Sequence, residues 1–386
     1  MNPDGAINQS YMTDPDKFPA DIEITSPGRI NLIGEHVDYN GGFALPAAIH
    51  RATRMKFRKT HGHTGRIHSA NLDQEFTVDL AQIEKSETHW HNYLLGVLHQ
   101  IEQLRPGALK GFECTLQSDI PIGSGVSSSA ALECGFATGL NELFSLGLTQ
   151  EEIIHLSQKA EHEFAGTKCG IMDQFTVVMG RKDHFILLDC RNNLGQYISV
   201  DLEPFTIVLL NSNVSHDLAT SAYNQRREEC EAALQTIRAQ YPQYHHLAEV
   251  PVEVVNGFQN HLPEKAFQRA QFVSQESHRT LQTVEFLRNR DLKAAGQCLY
   301  DSHQGLSQLY EVSCPELDFL VEQTRNRPEV IGARMMGGGF GGCTINLVHQ
   351  DEADSFTNEV SKAYREQYQI ELTAFEVKLE DGTRRI

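Results

Sequence analysis

The apolar positions in the first third of the chain either alternate with polar ones or form short runs, a pattern that predicts β-strands. Residues 112–117, FECTLQ, show it most clearly, because every second side chain is apolar. Phe112, Cys114 and Leu116 would share one face of a half-buried strand. From Ser129 onward the spacing becomes helical. The apolar positions of that predicted helix are Leu132, Phe136, Leu140 and Leu143.

A second helix is marked at its start by a capping box, in which Thr149 caps the helix and Glu152 reaches back to it. We expect Gly166 to end this helix. Two buried strands, HFILLDC and FTIVLLN, follow, and we place a domain boundary near residue 200. The N-terminal domain would cover residues 1–200 and the C-terminal domain residues 201–386.

The second half of the chain has a mainly helical pattern. It begins with a polar helix over residues 221–241 and continues with amphipathic helices to about residue 325. A glycine-rich loop then enters a strand, and a helix over 352–368 and a strand over 372–379 close the chain. Because strands and helices mix without regular βαβ alternation, we expect an α+β fold rather than a doubly wound α/β fold.

Length, charge and cysteine usage narrow the possible classes of function. The 386 residues suggest two domains at roughly 150 residues each. A formal net charge of −18 argues against a surface for nucleic acids or anionic membranes. The sequence contains neither an apolar run of about 18 residues that would span a membrane nor a secretory signal. The eight cysteines form no C-x-x-C pair, so we expect reduced thiols in a cytoplasmic protein.

The segment Pro121 to Ala131, PIGSGVSSSAA, connects a predicted strand to a predicted helix. Its small residues allow the backbone to approach a ligand, and the helix N-terminus directs free N–H groups to the same place. These features indicate a phosphate site, and the alternative is a flexible loop whose serines only cap the helix. The loop lacks the lysine of a Walker A motif, so a metal ion would have to add positive charge. Glu161 is a candidate carboxylate ligand for that metal.

A second glycine-rich run, GGGFGG at residues 337–342, formally matches G-x-G-x-x-G. A strand follows it instead of a helix, so the context of a dinucleotide-binding motif is missing. We interpret the run as backbone that approaches another group closely, and the alternative is a strained turn.

Three ionisable residues, Glu35, His36 and Asp38, crowd between Gly34 and the run Asn40-Gly41-Gly42. A solvated charged face would not need these glycines, whereas a small polar ligand would. Carboxylates accept strong hydrogen bonds from hydroxyl groups, so the cluster predicts a site for a polyol.

Asp173 stands in an apolar run, directly after Ile171 and Met172. An acidic side chain buried there would need partners, and Arg29 is one candidate. The alternative is an aspartate that only caps a helix.

Five segments occur in an order that resembles the GHMP small-molecule kinases, and the galactokinase family in particular. They are SPGRINLIGEHVDYNGG, PIGSGVSSSAALE, CGIMDQF, SAYNQRREECE and MMGGGFGGC. The resemblance extends from about residue 22 to the C-terminus. It implies a two-domain fold with the active site between the domains. It also implies ATP-dependent phosphorylation of α-D-galactose at the anomeric hydroxyl, giving α-D-galactose 1-phosphate and ADP in the Leloir pathway.

The resemblance also assigns roles to residues at matching positions. Asp173 would be the catalytic base, and Arg29 would stabilise the transferring phosphoryl group. The sugar would contact Glu35, His36, Val37, Asp38, Asp173 and Tyr223. ATP would contact Ser69, Gly123, Ser124, Gly125, Val126, Ser127, Ser128 and Ser129, with Trp90 nearby. Mg²⁺ would be held by Ser129 and Glu161.

Two alternatives to galactose phosphorylation stay open. The chain could phosphorylate N-acetylgalactosamine or another sugar, since Val37 and Val126 depart from residues common in the family. It could also be a sugar sensor that binds galactose and ATP without turnover, although the intact serine loop with Arg29 and Asp173 argues for turnover. The resemblance implies galactose and ATP as ligands and no nucleic acid, membrane or obligate protein partner.

Overall fold

Three β-sheets form the framework of residues 12–121, 123–215 and 219–386, which this computed structural model describes. The first sheet has the order β13 (Arg384–Arg385), β1 (Ile22–Asn31), β3 (Pro46–Lys59), β6 (Phe112–Ser118), β4 (Thr64–Ser69) and β5 (Gln74–Asp79). The second has the order β10 (Val330–Met335), β11 (Gly341–His349), β9 (Phe205–Ser215) and β12 (Thr373–Glu376). The third contains β2 (Phe43–Ala44), β7 (His184–Asp189) and β8 (Leu194–Ser199). Neighbouring strands are antiparallel except β4 and β6, so the expected α+β fold is confirmed.

The helices lie against these sheets in two groups. The first group is α1 (His89–Leu104), α2 (Ser128–Phe144), α3 (Gln150–Ala160) and α4 (Met172–Met179). The second is α5 (Ala219–Arg238), α6 (Val252–Gly257), α7 (Glu264–Arg288), α8 (Leu292–Gln308), α9 (Pro315–Glu322) and α10 (Ala353–Tyr368). Helix α2 packs so closely on β3 that a Cβ at Gly139 would lie 2.1 Å from the Phe57 ring. Within the described residues, no helix combines the length and apolar character needed to cross a membrane.

One hydrophobic cluster joins the two halves of the chain. Ile30 and Ala47 of the first sheet belong to the same buried cluster as Leu209 and Ile345 of the second sheet and Leu299 of α8. The end of the chain also crosses between the halves, because β13 pairs with β1. The range 201–386 therefore includes one strand that belongs to the first sheet. The division near residue 200 stays a prediction.

The predicted start of α3 and the predicted end of this helical segment at Gly166 are both confirmed. The backbone N–H of Glu152 donates to Thr149 Oγ1 at 3.1 Å, and the Thr149 N–H donates to Glu152 Oε2 at 2.8 Å. The helix continues as a π-helical turn, Glu161–Ala165, before Gly166 closes it with a φ of 88°. This turn is where Glu161 enters the candidate site. Turns of this kind are frequent at functional sites.

The strand predicted over residues 112–117 is confirmed as β6, but the prediction that it is only half-buried is wrong. Glu113 and Thr115, which belong to the polar face, are 8% and 1% exposed. Glu113 accepts a hydrogen bond of 2.5 Å from Arg58 and lies 3.7 Å from Arg66. The long side chains of the neighbouring strands therefore cover the polar face as well.

Candidate active site

Arg29 and Asp173 form a two-point ion pair at the centre of the candidate site. Arg29 lies near the end of β1, and Asp173 lies in the first turn of α4. Arg29 Nε is 2.8 Å from Asp173 Oδ1, and Nη2 is 2.9 Å from Oδ2. The remaining nitrogen, Nη1, donates to the Gly125 carbonyl at 2.5 Å. Burial opposes the charge on Arg29, but the carboxylates of Asp173 and Glu35 raise the pKa of the guanidinium.

The loop before α2 closes over this ion pair. Ser127 stands at the N-cap of α2 with a φ of 59°, and its hydroxyl donates to Asp173 Oδ2 at 2.5 Å. The loop rests on β1, because a Cβ at Gly28 would lie 2.8 Å from the Val126 carbonyl oxygen. Residues 128–130 lie in the first turn of α2, where backbone N–H groups have no intrahelical acceptor. The loop therefore brings an anion site to the edge of the Arg29–Asp173 pair.

Two residues of the predicted phosphate loop have buried side chains. Ser124 is buried, and its hydroxyl donates to the Pro121 carbonyl at 2.6 Å. Val126 is 1% exposed and packs in the cluster that joins the two halves. A contact between either residue and ATP would have to use the backbone, and it stays a prediction.

Glu35 is fixed by residues from the other half of the chain. Its Oε1 accepts a hydrogen bond of 2.7 Å from the Gly337 N–H and lies 3.2 Å from Arg334 Nη2. Arg334 is fully buried and also donates to the carbonyls of Leu32 and Met335, at 2.8 and 2.6 Å. These bonds occupy one oxygen of Glu35, so the carboxylate retains a second oxygen for a ligand.

Burial changes the protonation of the two neighbours of Glu35. It lowers the pKa of His36 to about 3, so this imidazole is neutral. Nδ1 of His36 lies 2.8 Å from the Tyr39 hydroxyl, whereas the buried Nε2 makes no hydrogen bond of normal length and angle among the described residues. The backbone of Gly338 also interacts with the ring and partly offsets the effect of burial on its pKa. Burial, followed by repulsion from Asp173, raises the pKa of Asp38 to about 6. Both side chains line the small polar cavity, where a ligand could form hydrogen bonds with them.

Val37 and Tyr223 differ in where their side chains lie: that of Val37 is in a hydrophobic cluster, and that of Tyr223 lines the site. The Val37 side chain is fully buried in a hydrophobic cluster, so the predicted contact between Val37 and the sugar would have to use the backbone, and it stays a prediction. This side chain packs where a Cβ at Gly42 would lie, at 2.6 Å. Tyr223 projects from α5, and its ring centroid is 5.2 Å from that of His36. The second half of the chain thus supplies one wall of the site.

Two cavities meet at the phosphate loop. The first has a volume of about 240 Å³ and is lined by most of the predicted sugar and catalytic residues, namely Arg29, Glu35, His36, Asp38, Asp173 and Tyr223. The second, of about 590 Å³, is lined by apolar and aromatic groups that include Leu72, Trp90, Tyr93, Leu116 and Leu132, with Ser69. Gly123, Ser128 and Ser129 line both cavities. The anion site therefore lies between a small polar cavity and a larger apolar one.

The predicted metal ligands are neighbours. Ser129 Oγ lies 3.3 Å from Glu161 Oε1, and both residues line the small cavity. Burial, with a further contribution from Asp173, raises the pKa of Glu161 to about 7. The described residues contain no group of three or more His, Cys, Asp or Glu side chains that could hold a metal. One carboxylate and one hydroxyl nevertheless suit Mg²⁺, which usually binds one or two protein oxygens together with water and substrate phosphates.

Sequence reasoning missed Arg334, and it did not identify the group that the second glycine run approaches. Gly337 adopts a φ of 83°, and a Cβ there would lie 2.9 Å from the Gly125 carbonyl oxygen. The second glycine run therefore packs against the phosphate loop, as its composition indicated. Arg334 was detectable as a cation within the otherwise apolar stretch VIGARMM, although no pattern in the sequence identifies Glu35 as its partner.

Comparisons with known proteins agree with this geometry. The galactokinase galactose-binding signature matches residues 16–59, the GHMP kinases N terminal domain residues 92–181 and the GHMP kinases C terminal model residues 283–366. A galactokinase of Thermotoga neapolitana is 39% identical over 365 residues, which cover 95% of this chain and 100% of the relative. A galactokinase of Roseiflexus sp. is also 39% identical, over 95% of this chain and 93% of the relative.

Solved structures give the same result. The crystal structure of Lactococcus lactis galactokinase complexed with galactose matches with a TM-score of 0.90 and 34% identity, over 95% of each chain. Methanococcus jannaschii mevalonate kinase matches with a TM-score of 0.66 and 17% identity, over 94% of this chain and 100% of the other, which shows the fold alone.

The two-domain α+β fold and the serine-rich loop at the start of α2 define a GHMP kinase. Within that class, the chain belongs to the galactokinase family.

The buried neutral His36 leads to a prediction about stability in acid. In the unfolded chain this histidine binds a proton below about pH 6.5, whereas in the folded chain it stays neutral down to about pH 3. The free energy of unfolding therefore decreases as the pH is lowered through that range. We expect the change His36→Asn, which tolerates a positive φ, to remove this loss. Between pH 7 and pH 5 the wild type should lose about 2 kcal/mol more unfolding free energy than the variant. Urea unfolding at both pH values measures the difference.

The exposed His245 provides a matched control, because His245→Asn also removes one histidine. This control should show the same pH dependence as the wild type. Equal acid sensitivity of the wild type and His36→Asn would contradict the assignment of a neutral, buried His36.

Proposed function

We propose that the protein transfers the γ-phosphoryl group of ATP to the anomeric hydroxyl of α-D-galactose, giving α-D-galactose 1-phosphate and ADP. One observation carries this proposal: the Arg29–Asp173 pair lies where the small polar cavity meets the phosphate loop. A hydroxyl group bound in the cavity would be next to a carboxylate, and a phosphate on the loop would be next to a guanidinium.

The polar cavity suits a sugar. Glu35 and Asp38 offer carboxylate oxygens, His36 offers a ring nitrogen, and Tyr223 offers a phenol. Hydrogen bonds from hydroxyl groups to ionised carboxylates are stronger than those between neutral groups, so they would orient the sugar ring. The raised pKa of Asp38, about 6, still leaves this carboxylate mainly ionised at neutral pH.

In the proposed reaction, Asp173 accepts the proton of the anomeric hydroxyl as the sugar oxygen bonds to the γ-phosphorus. The bond between that phosphorus and the oxygen that bridges it to the β-phosphate breaks, and ADP leaves. Arg29 adds positive charge next to the transferring group, where its stabilisation is greatest in the transition state. Asp173 keeps a side-chain exposure of 25% despite its three hydrogen bonds, so its carboxylate remains accessible from the cavity.

The nucleotide would extend from the phosphate loop into the apolar cavity, with its base near Trp90 and Ser69. Mg²⁺ would be held by Ser129 and Glu161, and when bound it would neutralise part of the phosphate charge. A cytoplasmic location remains a prediction from the cysteine composition; all eight cysteines are free thiols.

A sugar panel tests the choice of acceptor. We expect kcat/KM for galactose to exceed that for glucose, which differs at one hydroxyl, by at least about a hundredfold, because the wrong epimer leaves a buried polar group unpaired. N-acetylgalactosamine should also be poor, since its acetamide must fit a cavity of about 240 Å³. A coupled ADP-release assay measures all three sugars. Comparable kcat/KM values would contradict galactose specificity, and preference for N-acetylgalactosamine would favour the alternative sugar kinase.

The change Asp173→Asn separates an enzyme from a non-catalytic sensor. It preserves shape but removes the proton acceptor, so we expect kcat to fall by about 10² to 10⁴. Asparagine keeps a side-chain oxygen for Arg29 and Ser127, so binding of galactose and ATP should persist; calorimetry measures it on variant protein that circular dichroism shows to be folded. Asp351→Asn, at a site whose side chain is 79% exposed, serves as the control and should keep wild-type turnover. Wild-type protein that binds both ligands without turnover would instead support the sensor.

A further inference from the structure

A line of hydrogen-bonding side chains runs from His36 away from the cavity and into the second half of the chain. His36 Nδ1 lies 2.8 Å from Tyr39 Oη, and Tyr39 Oη lies 2.9 Å from Tyr310 Oη. Tyr310 Oη in turn lies 3.1 Å from Cys230 Sγ. We refer to Tyr39, Tyr310 and Cys230 as the side-chain relay. Tyr310 and Cys230 are 0% and 1% exposed, so bulk water does not compete for these bonds.

The packing of Tyr310 holds its hydroxyl in this line. Its ring centroid lies 4.8 Å from that of Phe272, and the guanidinium carbon of Arg269 lies 5.9 Å from the Tyr310 ring centroid. The Tyr310 carbonyl accepts a hydrogen bond of 2.7 Å from Arg226 Nε. Both the ring and the backbone of Tyr310 are therefore fixed by residues of the second half.

The chemistry of the groups sets the direction of these hydrogen bonds. Each hydroxyl and the thiol can donate one hydrogen, so the direction of one bond determines the next. If the donors point towards His36, the line ends on an imidazole nitrogen, which is a good acceptor. If they point the other way, it ends on the sulfur of Cys230, which is a weak acceptor. The first direction is favoured, and it makes His36 Nδ1 the acceptor.

The other nitrogen of His36 is buried and makes no hydrogen bond of normal length and angle among the described residues. The ring lines the small cavity, and the Gly338 backbone, which also lines it, interacts with the imidazole. A neutral imidazole carries one N–H, so a ring that accepts at Nδ1 must donate at Nε2. We infer that the side-chain relay fixes His36 as the Nε2–H tautomer, which donates a hydrogen bond to an oxygen of the bound sugar. Tyr39 and Tyr310 are thus positioning residues for sugar recognition. Only the identity of the ligand in this inference rests on the proposed function.

This arrangement complements the carboxylates of the same cavity. Ionised Glu35 and Asp38 can only accept hydrogen bonds, whereas each sugar hydroxyl has lone pairs that also need a donor. A donor at Nε2 supplies one such hydrogen, and an imidazole in the other tautomer would present a third acceptor instead. The tautomer of His36 therefore helps to determine which sugar oxygens can accept a hydrogen bond in this cavity.

The tautomer is measurable by NMR in the full-length protein labelled with ¹⁵N-histidine, without sugar or nucleotide. The His36 resonances are those that disappear in His36→Asn. We expect long-range ¹H–¹⁵N correlations of a neutral ring protonated at Nε2. A ring protonated at Nδ1 in the wild type would overturn the inference, whatever the relay variants do.

The variant Tyr39→Phe tests the consequence for binding, because it removes the bond to Nδ1. We expect mixed tautomers and a galactose Kd about tenfold higher, as for the loss of one buried hydrogen bond. The Kd for ATP should stay within about twofold. Tyr300→Phe is the matched control, since the Tyr300 hydroxyl bonds Thr324 Oγ1 at 2.9 Å in a buried site remote from the relay. It should change neither the His36 spectrum nor either Kd.

The outcomes separate this inference from the proposed function. An unchanged His36 spectrum and galactose Kd in folded Tyr39→Phe would overturn the role of the relay even if galactose is phosphorylated. A wild-type protein that does not bind galactose would contradict the proposed function, while the spectrum recorded without ligand would still decide the tautomer.

Discussion

The ion pair between Arg29 and Asp173 is the interaction on which the rest of the site depends. A buried guanidinium without a partner would cost several kcal/mol, and removal of one partner from such a pair is strongly destabilising. Arg29 is 3% exposed and uses its three nitrogens on two groups, the Asp173 carboxylate and the Gly125 carbonyl. The same charge therefore orders β1, the start of α4 and the phosphate loop. Ser127 adds a second link from that loop to the carboxylate.

A second set of contacts requires the two halves of the chain to pack together. Glu35 of the sugar cluster accepts hydrogen bonds from Arg334 and Gly337, and Gly337 packs on the carbonyl of Gly125. The polar cavity is thus complete only when the glycine run of the second half lies against both the phosphate loop and the sugar cluster. One hydrophobic cluster contains residues of both sheets, and its packing holds the partners of these hydrogen bonds together.

Local patterns predicted the features that depend on neighbours in sequence, and failed where contacts are distant. The capping box at Thr149 follows from four consecutive residues, so it was predictable. The burial of Glu113 was not, because it depends on arginines of two other strands. The candidate site shows the same division: glycine and serine content indicated the phosphate loop, whereas the core positions of Val37, Ser124 and Val126 and the partner of Arg334 depend on packing across the halves. Arg29 and Asp173 are 144 positions apart, so the sequence could indicate Arg29 only as one candidate partner of Asp173.

The central claim is that Arg29 and Asp173 act as one unit in phosphoryl transfer, and a kinetic double-mutant cycle tests it most directly. The rates of Arg29→Ala, Asp173→Asn and the double variant would be measured with saturating galactose and ATP, and circular dichroism would verify that each variant is folded. Residues that act as a unit give strongly non-additive losses. The account predicts that the double variant is about as slow as the slower single variant. Losses that multiply, as expected for independent groups, would contradict it.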